Sequence, residues 1–203
     1  MISAQDKIMH VANKLGLTSL KDMQASTGAV YDVDVDFSGQ IFSNASRHQN
    51  PGTTNVVENQ FEVNEALLIE SIGFYTKTTT GDNEATSFQR TYGSSAVLVF
   101  DLVIGNKRVM KDTPVFAAGS PYTFANVGTR NELFGEDSAS VYEPRHQVFM
   151  EGAGILIPPQ VQWYVDYRIF NVVTGATIAA TDSTAIGCYL FGTRVLLNFN
   201  TTI

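Results

Sequence analysis

The chain has 203 residues, 44% of them hydrophobic, 16% charged and 11% aromatic, and a formal net charge of −7. That length fits one domain, with or without an appended arm, and about 70% of the unfolded surface can be buried at this size, so no disulfide staple is needed. The negative balance argues against a protein that coats nucleic acid, which needs a basic face. The single cysteine, Cys188, excludes an intrachain disulfide and a cysteine-based zinc site.

The opening Met1 to Lys7 lacks the basic-then-apolar order of a signal peptide. No apolar run reaches the roughly 18 residues of a membrane span. Ile8, Val11, Ala12 and Leu15 fall at i, i+3, i+4 and i+7, which predicts a short helix with one apolar face. Ser3 can cap its start and Gly16 can end it, and Thr18 can cap a second turn carrying Leu20 and Met23. Lys7, Lys14 and Lys21 recur every seven residues. An arm of this kind has three places to go: a neighbouring subunit, a membrane surface, or its own domain.

Val30 to Phe37 alternates Asp32, Asp34 and Asp36 with Val33 and Val35. The spacing resembles the start of a calcium loop, but Phe37 stands where the glycine belongs and Ser43 where the closing glutamate belongs. A strand with one acidic face is the better reading. Residues 43–60 are a polar, turn-rich connector. Asn44-Ala-Ser and Asn200-Thr-Thr match the glycosylation pattern by chance.

From about Phe61 the chain reads as strands. Phe61 to Thr78 is a long one, and Thr79 to Ala85 is a turn. Ser94 to Ile104 turns at Gly105-Asn106 into Lys107 to Lys111, whose basic residues suit a solvated hairpin tip. Pro114 opens a shorter apolar segment, and Gly128, Asn131, Gly135 and Pro144 break up residues 119–145. Val148 to Ile157 and Val161 to Phe170 follow, separated by Pro158-Pro159, where ladder pairing must stop or change. Val161, Trp163, Val165, Tyr167 and Ile169 share one parity and Gln160, Gln162, Tyr164, Asp166 and Arg168 the other. That period of two marks a half-buried antiparallel strand with Trp163 and Tyr167 facing inward. Ile186 to Phe199 is a last β run. Strands at these intervals with no helical pattern between them predict an all-β sandwich or jelly roll. The expected organisation is a helical arm over 1–28, an acidic strand and connector over 29–60, and a β-sandwich over 61–203.

No residue set announces a reaction. His10, His48 and His146 lie too far apart for a metal motif, which speaks against a cupin. No nucleophile elbow or phosphate-binding glycine loop is present, and Gly152-Ala-Gly154 precedes a strand, not a helix. Cys188 lies in an apolar run and reads as a small buried hydrophobe. Glu132, Glu136, Asp137, Glu143 and Glu151 cluster in sequence, but a glycosidase pair is set by a spacing that sequence cannot supply. Trp163, Tyr164, Tyr167 and Phe170 suit core packing better than a sugar platform. No residue is therefore expected to be catalytic, cofactor-binding or metal-ligating.

Four stretches resemble the capsid jelly rolls of tailless icosahedral bacteriophages. They are Gln-Phe-Glu-Val-Asn-Glu-Ala-Leu-Leu-Ile-Glu-Ser-Ile-Gly-Phe-Tyr (60–75), Val-Leu-Val-Phe-Asp-Leu-Val-Ile-Gly-Asn-Lys-Arg-Val-Met-Lys-Asp-Thr-Pro (97–114), the Ile-Pro-Pro break with its strand (157–170), and the closing apolar strand. The resemblance implies a virion structural protein, a single jelly-roll β-sandwich with a short N-terminal helical arm. It would be a homo-oligomer, a trimer or pentamer within a shell, bound to copies of itself and to other capsid proteins, with the arm on a neighbour or an internal membrane and no specific nucleic-acid binding. Main capsid proteins of the membrane-containing lineage usually stack two barrels, so one barrel fits a vertex or minor capsid subunit, or a single-barrel shell protein. The alternative is a carbohydrate- or receptor-binding attachment module.

Overall fold

The structure is a computed structural model. It describes residues 4–17, 23–43, 54–56, 59–78, 85–86, 96–114, 147–149, 154–179 and 184–197. In chain order the elements are α1 (Ala4–Leu15), β1 (Gln24–Asp34), β2 (Gln40–Ile41), β3 (Glu65–Thr78), β4 (Ala85–Thr86), β5 (Ala96–Ile104), β6 (Lys107–Pro114), β7 (Gln147–Phe149), β8 (Ile155–Ile157), β9 (Trp163–Asn171), β10 (Thr177–Ile178) and β11 (Thr184–Leu196). The strands form two antiparallel sheets packed as a sandwich. One runs β1-β11-β3, with β4, β7 and β8 on the far side of β3; the other has β2 and β10 beside β9, then β5 and β6.

The period of two in β9 sets the core. Trp163, Val165, Tyr167 and Ile169 are buried, while Arg168 between them is exposed. Trp163 packs between Phe42 and Phe61, with ring centroids 4.6 and 5.6 Å away. Phe74 meets Phe100 across the sandwich at 4.9 Å. Leu67, Ile69 and Ile72 of β3 and Ile186, Cys188 and Leu190 of β11 complete the inter-sheet layer. A bulge between Phe191 and Gly192 lets β11 follow β3. Only glycine fits there, because a Cβ on Gly192 would stand 1.9 Å from the Leu68 carbonyl oxygen.

The Pro-Pro step is a corner between sheets. β8 pairs with β3 in one sheet, and β9 pairs with β5 in the other. Across the corner the chain is tied down by backbone bonds from Gln160 N to Phe61 O (2.9 Å) and from Trp163 N to Asn59 O (2.8 Å). The Gly105-Asn106 turn also forms as expected, with Gly105 at φ 61° closing the β5–β6 hairpin. Pro114 differs from expectation. It is the last residue of β6, where an edge strand tolerates its missing N–H, and the rest of the apolar segment expected to follow it lies outside the described residues.

The acidic strand needs a larger correction. It runs over Gln24–Asp34, not Val30 to Phe37, and pairs with β11 along its whole length. Its acidic face points inward: Asp32 is 3% and Asp34 0% exposed, while Asp36 is exposed in the turn that follows. Backbone donors make this burial tolerable. Asp32 Oδ2 accepts from Phe42 N (2.7 Å). Asp34 accepts from Ser38 N, Ser38 Oγ, Gly39 N and Tyr167 Oη at 2.8–3.1 Å. The two carboxylates thus fold the β1–β2 connection back and pin one sheet to the other. β1 and β2 are hydrogen-bonded into the two sheets that β3 to β11 build.

Helix α1 lies on the outer face of its own sheet. Val11 packs with Ala66, Leu68, Val195 and Leu197 in a second apolar cluster, flanked by Leu15, Leu17 and Met23. Gly16, at φ 69°, ends the helix as expected. Leu17 N bonds Ala12 O (2.8 Å) and Gly16 N bonds Asn13 O (3.3 Å), the paired bonds of a Schellman cap. The apolar face predicted from Val11 and Ala12 is therefore occupied within the chain. The Ser3 cap and the turn at Thr18 and Leu20 lie outside the described residues.

One ion pair fastens this helix. Lys7 Nζ meets Glu70 Oε1 at 2.6 Å, and Thr193 Oγ1 donates to the same oxygen at 2.7 Å. Burial pushes the Glu70 carboxyl up, but the hydrogen bonds from Lys7 and Thr193 and the Lys7 charge outweigh it, leaving a net pKa below the ordinary 4.5. A carboxyl with a depressed folded-state pKa stabilises the fold above its unfolded value and loses that contribution as pH falls through the folded value. Stability from this pair should thus be complete above about pH 4.5 and decline below it. Chemical denaturation at stepped acid pH should show a shallower pH slope for Glu70→Gln than for the wild type.

Candidate functional site

Among the described residues no group of His, Cys, Asp and Glu is placed to hold a metal ion, and no helix is long and apolar enough to cross a membrane. His10 is half-buried on α1. His48, His146, Glu132, Glu136, Asp137, Glu143 and Glu151 lie outside the described residues, as do Asn44 and Asn200. Cys188 is fully buried, and burial first, then the Asp32 charge, pushes its thiol well above the ordinary value. Trp163 and Tyr167 are core residues, 0% and 5% exposed, so neither offers a ring to a sugar.

The basic hairpin is exposed as expected, but it is not free of partners. Arg108 Nη1 reaches the buried Asp101 at 3.2 Å, and Arg168 lies 3.6 Å from the same carboxylate and pairs with Asp112. Asp101 also stands directly opposite Asp166 in the β5–β9 ladder, a like-charge pair that the two arginines offset. Asp166 accepts a bond from Gln40 Nε2 at 2.8 Å. Three carboxylates, Asp101, Asp112 and Asp166, share two arginines in this network, which holds the outer face of the second sheet.

The open feature is the first half of β1. β1 spans eleven residues, whereas β2, the strand next to it in the chain, pairs with β9 at only Gln40 and Ile41. Among the described residues no second-sheet strand opposes the inner face of Ser26, Gly28 and Val30. A cavity of about 560 Å³ remains there, floored by Phe61 and Leu67 and rimmed by Asn55, Gln160 and Arg194. Its lining carries Glu62 and Glu65 against one arginine, Arg194, whose Nε pairs with Glu65. Gln160 is held at φ 55°, a left-handed conformation that non-glycine residues seldom adopt.

The rim of this cavity is also a sheet edge, since β1 ends its sheet. Asn55 covers part of it: its Oδ1 accepts from Tyr31 N (2.7 Å), its N donates to Tyr31 O (3.1 Å), and its Nδ2 donates to Ala29 O (2.8 Å). Backbone groups along an antiparallel strand alternate sides, so Tyr31 shows which parity faces outward. Ala25 and Thr27 share it, and neither has a partner on that side among the described residues. Sequence reasoning missed this edge, since Gln-Ala-Ser-Thr-Gly-Ala carries no apolar alternation. The arrangement can accept an extended chain along its edge. Comparison with known protein families, with curated proteins and with solved structures finds no match for the chain.

Proposed function

We infer that the chain is a structural virion protein, a jelly-roll capsid or vertex (penton or minor capsid) subunit that acts through self-assembly. The observation that carries this reading is the order of strand pairing. With β7 and β8 taken as one strand, the two-residue β2 counted and the equally short β4 and β10 set aside, the first strand pairs with the last and the second with the seventh. The third pairs with the sixth and the fourth with the fifth. Rolling up a hairpin of four strand pairs produces this order, and it is the plan of a jelly roll.

The step from architecture to virion is by analogy with capsid proteins of that plan. Physical features favour it. The long strands β3, β5, β9 and β11 make a rigid block. The β1 edge offers surface for another chain, and the buried Asp101 is held by Arg108 and Arg168. Partners under this reading are copies of the chain and other capsid proteins, and closed assembly requires a self-complementary or ring-forming surface. Negative-stain electron microscopy of the concentrated protein tests it. Rings or shells of uniform size are expected; fields of isolated single subunits would overturn it.

A further inference from the structure

We propose that the free edge of β1 pairs with the same edge of a second copy, antiparallel, about a two-fold axis through Ser26. This deepens the assembly reading and rests on it. Among the described residues the outward backbone groups at Ala25 and Thr27, two residues apart, have no partner, while Asn55 already holds the Ala29 carbonyl and both groups of Tyr31. The register that uses both open positions, and only those, sets Ala25 opposite Thr27 of the second copy and Thr27 opposite its Ala25. Each such pair exchanges both N–H and C=O bonds, giving four bonds in all.

The occupant follows from charge. Each chain carries a net −7, so two copies repel unless they meet on a neutral surface. Gln24 to Tyr31 is an uncharged stretch of eight residues, and pairing about Ser26 sets its first five, Gln24 to Gly28, against themselves with no charges opposed. The devices that normally guard an edge are missing from it: there is no lysine or proline, and β1 keeps an unbroken register with β11. Ser26 of both copies would face the same side of the joined sheet, where each chain contributes its cavity. Isologous pairing of this kind closes on itself and gives a dimer within the larger assembly, not an open fibre.

Three variants test it in the full chain. Ser26 of the two copies would form a non-hydrogen-bonded pair with Cα atoms about 4.5 Å apart, within disulfide reach. Under mild oxidation Ser26→Cys should run as a cross-linked dimer on a non-reducing gel, while the wild type, whose one thiol is buried, should not. Thr27→Pro removes an outward N–H that bonds nothing in β11, so it should abolish the dimer and keep the wild-type far-ultraviolet spectrum. Thr27→Lys, which adds a charge to the edge, should do the same if the proline variant misfolds. Assembly that proceeds without a Ser26→Cys cross-link, or that survives a folded Thr27→Pro or Thr27→Lys, overturns the edge pairing and leaves the assembly reading standing. A protein that stays monomeric overturns both.

Discussion

Replacing Trp163 with alanine should destabilise the fold by about 3–5 kcal/mol. The side chain is fully buried and packs between Phe42 and Phe61, so its loss removes apolar burial and leaves a cavity no neighbour can collapse into. Phe61 sits on the loop that receives the backbone of Gln160 and Trp163, so one truncation loosens both the core and the corner between the sheets. A domain with about 5–15 kcal/mol of net stability would lose a large part of it. Phenylalanine should cost much less. The indole Nε1 has no hydrogen-bond partner among the described residues, so Trp163→Phe also removes a buried unpaired donor. Equilibrium denaturation should rank the variants wild type, then Trp163→Phe, then Trp163→Ala. If alanine and phenylalanine proved equal, the three-ring stack would not be holding the corner.

Asp34→Ala should cost about 2–4 kcal/mol by a different route. The carboxylate is 0% exposed and gathers donors from Ser38, Gly39 and Tyr167. Alanine leaves those donors facing a void. Asparagine keeps the size but turns an amide donor toward other donors, so it should rescue little. Tyr167→Phe removes only the inter-sheet bond and should cost about 1–2 kcal/mol in the wild type. Made in the Asp34→Ala background, it should cost almost nothing, which is the signature of direct coupling in a double-mutant cycle. Hydrogen exchange at Ser38 and Gly39 should speed up in Asp34→Ala while the amides of β11 stay protected. Additive costs would show that the Asp34–Tyr167 bond does not join the sheets.

These two sites show how far the sequence could be read. The parity of Trp163, Val165, Tyr167 and Ile169 is a local property of one strand, and their burial follows it. The Gly105-Asn106 turn, the Gly16 helix end and the Pro158-Pro159 corner are likewise set by backbone limits within a few residues. Asp32 and Asp34 are different. Alternation told that they share a face, but which face is inside depends on where β11 and β9 lie, some 130 to 150 positions further along the chain. Buried carboxylates also run against the usual rule that charge stays wet, and only the donors from Ser38, Gly39, Phe42 and Tyr167 explain the exception. The first six residues of β1 carry no apolar pattern, and their strand state is imposed by pairing with β11. The cavity draws on β1, β3, β11 and the loops at Asn55, Phe61 and Gln160, so no single stretch announces it.

On the proposed reading this protein works by shape and by contact with copies of itself. Sedimentation velocity of the purified full chain over a wide concentration series tests that most directly. The predicted result is a shift with concentration from monomer through a dimer to one discrete larger species, with the dimer missing in Thr27→Pro. A single monomeric boundary at every concentration would contradict it.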